Sequence, residues 1–484
     1  MMPKTPLLSA LVAISLFVYT LYRALYLSFV HDESLTYSIL FGNKVFEESA
    51  NNHLLNTALM RYILTNTGRD DEGLLRLPNV LSFILYAFAA YKITARMPQN
   101  SLKIYGYLLL LLNPFILDFF SLARGYGLSL GLMMASIYFL LKIWDNPKVL
   151  LYHIFFGVSS IGVVYANFTL LIFYLAAMLW WVGIGLSKRG FRKLLKIESH
   201  RILGLIYVSI VAFHGVILYQ ILPFLFMLKN KGGLYAGGNK GMIKSLVESN
   251  IVCLLYEQDL VLPAFILNSL VVVVILGFIG SIITGVLKIK KPDETLLFPF
   301  LLVICCIIPF LQRELMGILY PIERTAVFYY PLWVLCVVFL SIDTLIALKI
   351  HRYAVGILTV LMVVNFIKTA NLTHTHTWSY DAHSKEMMLS LKALKEDKKL
   401  SDTTKMGVTW LFEPSTKVYY RPKLQYSWLH ITNITSNGLE TKNVQQYKLF
   451  YITEEEATQA MFKNTYETVQ SFKDTKTVLL MRKD

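Results

Sequence analysis

Apolar residues in this chain come in unbroken blocks of roughly 20, the length an α-helix needs to cross the hydrocarbon of a bilayer. A soluble core has no room for so many such runs, because its helices and strands keep a polar face at their own period. The blocks occupy 6–30, 74–95, 103–122, 125–144, 149–166, 168–186, 202–227, 260–287, 295–311, 326–346 and 353–370. They predict an α-helical polytopic membrane protein of about eleven transmembrane helices. The stretch 149–186 is too long for one helix, and Asn167 marks its turn. Of the 484 residues 55% are hydrophobic and only 16% charged, against ~25% in an average soluble domain. That balance excludes a soluble enzyme, a disordered tail protein and a disulfide scaffold. The four cysteines form no CxxC pair.

The formal charge of +15 does not point to nucleic acid, because Lys and Arg sit at the ends of apolar blocks. They gather in alternate connections: Lys92, Arg96 and Lys103; Lys188, Arg189, Arg192, Lys193 and Lys196; Lys288, Lys290 and Lys291. The short turns between carry Arg124, Arg313 and Arg324. By the positive-inside rule the N-terminus is cytoplasmic. The run 6–30 is too long for the apolar region of a signal peptide and reads as a retained first span. An odd number of spans then puts 371–484 on the outer side.

Three outer segments exceed a simple turn: 31–73, 228–259 and the tail. The first contains an amphipathic stretch around His53 to Leu64, expected along the membrane surface. The second holds Gly232, Gly233, Gly237, Gly238 and Gly241, which predict a flexible loop. In the tail, 382–397 reads as a helix, 413–420 as a second, and 405–411, 447–453 and 476–482 as strands. The expected organisation is a transmembrane domain over 1–370 and a small α/β soluble domain over 371–484.

Candidate chemistry collects at the outer ends of the spans. His31-Asp32-Glu33 follows the first one. Adjacent carboxylates at an interface serve as general base, metal ligand or ion-pair partner, or stay as solvated loop carboxylates. The same loop carries Asn51-Asn52-His53. Arg124 and Tyr126, within Ala123-Arg124-Gly125-Tyr126-Gly127, either grip a phosphate or carboxylate or anchor the interface. Glu323-Arg324 either serves the same phosphate or forms a local pair. Arg23, inside the first span, is expected to snorkel to the outer interface. His374, His376 and His383 lack a recognised metal-ligand spacing, and Asp70-Asp71-Glu72 reads as a solvated loop.

In order and sidedness these features resemble the GT-C superfamily of membrane glycosyltransferases. They are the acidic motif after the first span, the outer Arg-Gly-Tyr turn, and Glu323-Arg324 ahead of Tyr329-Tyr330-Pro331. The resemblance covers roughly 1–370 and is nearest to bacterial relatives of protein O-mannosyltransferases and of the lipid A aminoarabinose transferase. It implies an inverting transfer of a sugar from a polyprenyl-phosphate donor to a lipid, glycan or protein acceptor. The setting it implies is the outer face of a bacterial inner membrane, among membrane lipids. Carried over, Asp32 is the catalytic carboxylate, and Glu33, beside it in the catalytic motif, shapes the site or binds the acceptor. His31, Asn52, His53, Arg61, Arg124, Tyr126, Glu323 and Arg324 are expected to bind substrate, with Arg124 and Arg324 on the leaving phosphate. No cofactor is called for, and a divalent metal stays open. The acidic motif that some relatives place in the second long outer loop has Glu257 and Asp259 as its nearest counterparts. The donor-binding lysine of some relatives has none beyond Arg61 or Lys44. Two other classes compete: a transporter or flippase of lipid-linked saccharide, and a non-catalytic envelope scaffold.

Overall fold

The computed structural model describes residues 4–186, 201–234, 237–239, 241–256, 264–289, 293–340, 345–397, 399–434 and 444–483. Glu257, Asp259 and the basic residues Lys188, Arg189, Arg192, Lys193, Lys196, Lys290 and Lys291 lie outside them. The chain divides into two compact units. The first comprises Met1–Leu21, His53–Ala58 and Arg76–Ala370; the second comprises Tyr22–Asn52, Leu59–Leu75 and Asn371–Asp484.

Every apolar block of the sequence holds a helix, which makes this an integral membrane protein. Among the described residues six helices are long and apolar enough to cross a bilayer: Pro6–Tyr26, Glu72–Thr94, Gly125–Asp145, Val208–Asn230, Glu294–Met316 and Leu348–Thr369. The block 103–122, expected as one span, is instead a pair, Asn100–Leu111 and Pro114–Phe120, bent by 58°. The cause is local. Pro114 cannot continue a helix from the preceding turn, and the Asn113 side chain accepts from Ile116 N at 3.0 Å, starting a new one. Counting that pair as one span gives seven. Among the described residues the block 260–287 holds the helix Ala264–Ile289, and the other blocks carry shorter apolar helices, Leu150–Ala166 and Tyr329–Val338 among them, so a count of eleven crossings is not established. Asn167 turns the chain as expected, its side chain accepting from Thr169 N at 3.2 Å.

The glycines near 237 are not a flexible tether. Gly238 and Tyr320 form an isolated antiparallel bridge, with backbone bonds of 2.9 and 3.2 Å. A Cβ on Gly237 would stand 2.5 Å from Leu319 Cβ and 2.7 Å from Tyr320 O. Close backbone approach, rather than mobility, explains the residue type there.

The second unit is built on a five-stranded sheet: β1 Thr404–Val408, β2 Leu429–Asn433, β3 Leu449–Thr453, β4 Tyr466–Phe472 and β5 Thr477–Arg482, in the order β2-β1-β3-β5-β4. β1 runs parallel to β2 and β3, whereas β5 is antiparallel to β3 and β4. The three strands legible in the sequence are the central ones. The expected helix 413–420 is a π-helical turn, Pro414–Tyr420, and 382–397 is the helix Ser384–Glu396. One core cluster gathers Phe450, Ile452, Phe462, Tyr466, Val478 and Leu480.

Two stretches from early in the chain complete this unit. Helix α1, Lys4–Tyr26, ends four residues before the expected 30, and helix α2, His31–Leu40, begins after it. The Phe29 ring stacks on Tyr419 at 4.1 Å between centroids. Asp70, expected in a solvated loop, is instead gripped. Tyr37 Oη donates to it at 2.7 Å, the Lys423 ammonium pairs with it, and Tyr419 Oη donates to its carbonyl at 3.0 Å. Burial raises the Asp70 carboxyl, but the bonds from Lys423 and Tyr37 outweigh it and hold it below the usual range. Glu72 pairs with Lys385 at 3.2 Å. Arg23 does not snorkel: it is fully buried, and its guanidinium donates to the His374 carbonyl. A buried guanidinium has to spend its donors on protein oxygens, and a backbone carbonyl of the tail supplies one.

Candidate active site

His31, Asp32 and Glu33 form the first turn of α2, in the second unit. Both carboxylates sit where a helix presents unpaired N–H groups and the positive end of its dipole. Neither is a solvated loop residue: Asp32 is 6% exposed and Glu33 fully buried. Glu33 reaches back to accept from Val30 N at 3.0 Å. His31 Nδ1–H donates to the Leu411 carbonyl at 2.8 Å, which fixes its tautomer. Its ring also meets Trp410 edge-on at 5.7 Å. Trp410 is 54% exposed, an aromatic neighbour of the acidic turn that the sequence reading missed. Nothing in a run of tail residues signals that it stands beside His31.

Asn52 and Arg61 also belong to this unit. Asn52 Nδ2 donates to the Glu47 carbonyl at 2.8 Å, closing its own turn. Arg61 donates to the Ile39 carbonyl at 3.2 Å, near the C-terminal end of α2. A cation suits that end of a helix dipole. Lys44 opens the short helix Lys44–Glu47 and is exposed.

The first unit holds His53, Arg124, Tyr126, Glu323 and Arg324. Here the structure brings His53 and Tyr126 together, ring centroids 4.7 Å apart. His53 Nδ1–H donates to the Ala166 carbonyl at 2.8 Å. Gly125 lies between: a Cβ there would meet Ala166 O at 1.8 Å and His53 Nδ1 at 2.8 Å. The turn before it is braced by buried amides. Asn56 Nδ2 donates to the Ala123 carbonyl at 2.8 Å, Asn79 Nδ2 to Asn56 Oδ1 at 2.7 Å, and Leu128 N to Asn79 Oδ1 at 3.0 Å. Arg124 is therefore set in a fixed turn, fully buried at the N-cap of Gly125–Asp145.

Glu323 has φ +47°, a left-handed conformation unusual for a residue with a Cβ. Its N–H donates to Ser249 Oγ at 3.1 Å. Strain of this kind persists where surrounding structure over-determines it, and Glu323-Arg324 is such a place. A further polar pair escaped the sequence reading. Tyr256, also in the left-handed region at φ +67°, donates its hydroxyl to both Asp118 oxygens at 3.1 Å. Asp118 lies on the bent helix Pro114–Phe120. Its isolation inside an apolar run is the signal that could have found it.

Among the described residues no group of three or more His, Cys, Asp or Glu side chains gathers as a metal site. His383, weighed with His374 and His376, is engaged otherwise, by Glu386 at 2.9 Å and Asp474 at 2.8 Å.

A bundle of apolar helices with an acidic turn after its first span and a small α/β tail defines a class. It is the GT-C fold of polytopic membrane proteins, as the sequence pattern led one to expect. The likeness that establishes this is to ArnT from Cupriavidus metallidurans in the apo state, at TM-score 0.51 and 10% identity, over 98% of this chain and 97% of that one. The same ArnT bound to undecaprenyl phosphate gives 0.49 at 11% identity, over 99% and 98%. The Archaeoglobus fulgidus oligosaccharyltransferase, crystallised with zinc and sulfate, gives 0.45 at 11%, over 94% and 69%. No protein-family profile and no curated protein matches the sequence.

Proposed function

We propose that the protein is an inverting glycosyltransferase. It moves a sugar from a polyprenyl-phosphate donor to an envelope lipid, glycan or protein acceptor, at the outer face of the bacterial inner membrane. The observation that carries the reading is the acidic turn of α2. In a chain of this fold, two adjacent carboxylates are buried in the first turn of the helix that follows the first span. The reading further takes 1–370 as the membrane domain and 371–484 as an outer soluble domain, with the N-terminus cytoplasmic.

Asp32 removes the proton from the acceptor hydroxyl. The acceptor oxygen forms its bond to the anomeric carbon on the face opposite the donor phosphate. The anomeric C–O bond breaks, and its electron pair leaves with the phosphate, a diester becoming a monoester with one more negative charge. One carboxylate suffices, because inversion passes through no covalent intermediate. Glu33 acts by holding the Val30 amide and so the turn that presents Asp32. Arg124 and Arg324 are the residues assigned to the charge that grows on the phosphate, where a fixed guanidinium lowers the barrier most. His31, Asn52, His53, Arg61, Tyr126 and Glu323 complete the substrate-binding set.

The test is transfer from labelled polyprenyl-phosphate sugars by the purified protein and its Asp32→Asn variant. Loss of a general base lowers turnover by about 10²–10⁴-fold. Full transfer by the variant removes Asp32 from this role. Lipid-linked saccharide that still crosses the membrane with the variant identifies a flippase. An envelope glycan profile unchanged by deleting the gene, together with partner loss on removing 371–484, identifies a scaffold.

A further inference from the structure

Helix α2 begins with a defect. Its N-cap is Val30, whose side chain accepts nothing, so the amides entering the helix need acceptors from elsewhere. They find them in succession. Phe29 N donates to Tyr420 Oη at 2.6 Å, across 391 positions of sequence. Val30 N donates to Glu33. Around these, the Ser28 hydroxyl donates to the Ala382 carbonyl, Lys385 N donates to Ser28 Oγ at 3.3 Å, and the His31 ring donates to the Leu411 carbonyl. Of these acceptors, all but Glu33 and Ser28 belong to the tail.

We infer that Tyr420 is a positioning residue: through the amide of Phe29 it fixes the turn that presents Asp32 and Glu33. The inference rests on the proposed transferase reading for its catalytic consequence. Its structural part stands apart from that reading. Tyr420 is 1% exposed, so water offers the Phe29 amide no substitute.

The Tyr420→Phe variant of the full chain in detergent, which deletes one hydroxyl, tests this. Amide hydrogen exchange of residues 28–34 is the first readout, compared between proteins at the same pH. The second is turnover against KM for the lipid-linked donor. Tyr420→Phe is expected to speed exchange in 28–34, and to lower kcat, by about tenfold, the equivalent of one lost hydrogen bond in a buried site. KM for the donor stays where it was. Unchanged exchange overturns the inference, and so does faster exchange with undiminished kcat. Should Tyr420→Phe not fold, the wild type decides: a Phe29 amide protected like the interior of α2 supports the inference, and one that exchanges at the rate of an open loop overturns it. Should the wild type transfer no sugar, the transferase reading falls while the exchange result still judges the positioning.

Discussion

Gly125 is where the first unit tolerates least change. Replacing it by alanine puts a carbon 1.8 Å from Ala166 O and 2.7 Å from His53 Cβ, against about 3.3 Å for a close carbon–oxygen contact. Something must retreat by about 1.5 Å, and neither neighbour is the far end of a flexible chain. Ala166 O is backbone, and His53 is tied to it by the 2.8 Å bond. Overpacking alone costs about 1–3 kcal/mol. Separating His53 from Ala166 leaves a buried donor and acceptor apart, for about 1–3 kcal/mol more. The expected loss is therefore roughly 2–6 kcal/mol. Gly215→Ala is the control. It lies inside the helix Arg201–Asn230, a Cβ there meets nothing within 4 Å, and it is expected to be neutral or to gain up to about 1 kcal/mol. Thermal and denaturant unfolding of the two variants in one detergent compares them directly. A Gly125→Ala protein within about 1 kcal/mol of wild type, or a Gly215→Ala protein that loses as much, would refute the reasoning.

Two further outcomes follow from the same geometry. Asn79→Leu keeps the branched outline but strands the Leu128 amide and Asn56 Oδ1, at about 1–3 kcal/mol for each, read as a lower unfolding midpoint. His383 responds to pH. Burial lowers its imidazole, but Asp474 and Glu386 outweigh that and raise it above the ordinary 6.5. Its stabilising share is thus full below the unfolded value and lost as pH rises through the higher folded one. His383→Gln should flatten the unfolding midpoint across that window, and an unchanged slope would show that the Asp474 pair contributes nothing.

What the sequence made legible follows what a bilayer demands. Lipid offers no partner for a backbone amide, so each crossing must be a long apolar helix, and such helices announce themselves locally. In the tail, β1, β3 and β5 were readable because central strands bury both faces: Leu449 to Ile452 are all buried. The two missed strands are the sheet edges. β4 buries only its ends, from Tyr466 to Phe472, and reads as polar loop. Asp70 read as solvated because the ammonium that holds it, on Lys423, comes 353 positions later. Arg23 failed for the same reason, with its carbonyl on His374. Asp32, Glu33 and Arg124 drew notice by residue type and place, and all three are buried, whereas nothing in the sequence pointed to Trp410 beside His31 or Tyr420 beside Phe29. Pairing between the two ends of a chain leaves no period to detect.

Synthesis order gives the composite second unit a timetable. Phe29 leaves the ribosome 391 residues before Tyr420, an interval of about 20–80 s at ~5–20 residues per second. Until it ends the Phe29 amide has no Tyr420 hydroxyl to bind, and for most of it the Arg23 guanidinium has no His374 carbonyl to receive it. A nascent chain stopped before its last hundred residues would therefore carry every crossing and yet lack a settled opening helix. The C-terminus closes the fold, and a ribosome that stalls late releases a protein unfinished at its front.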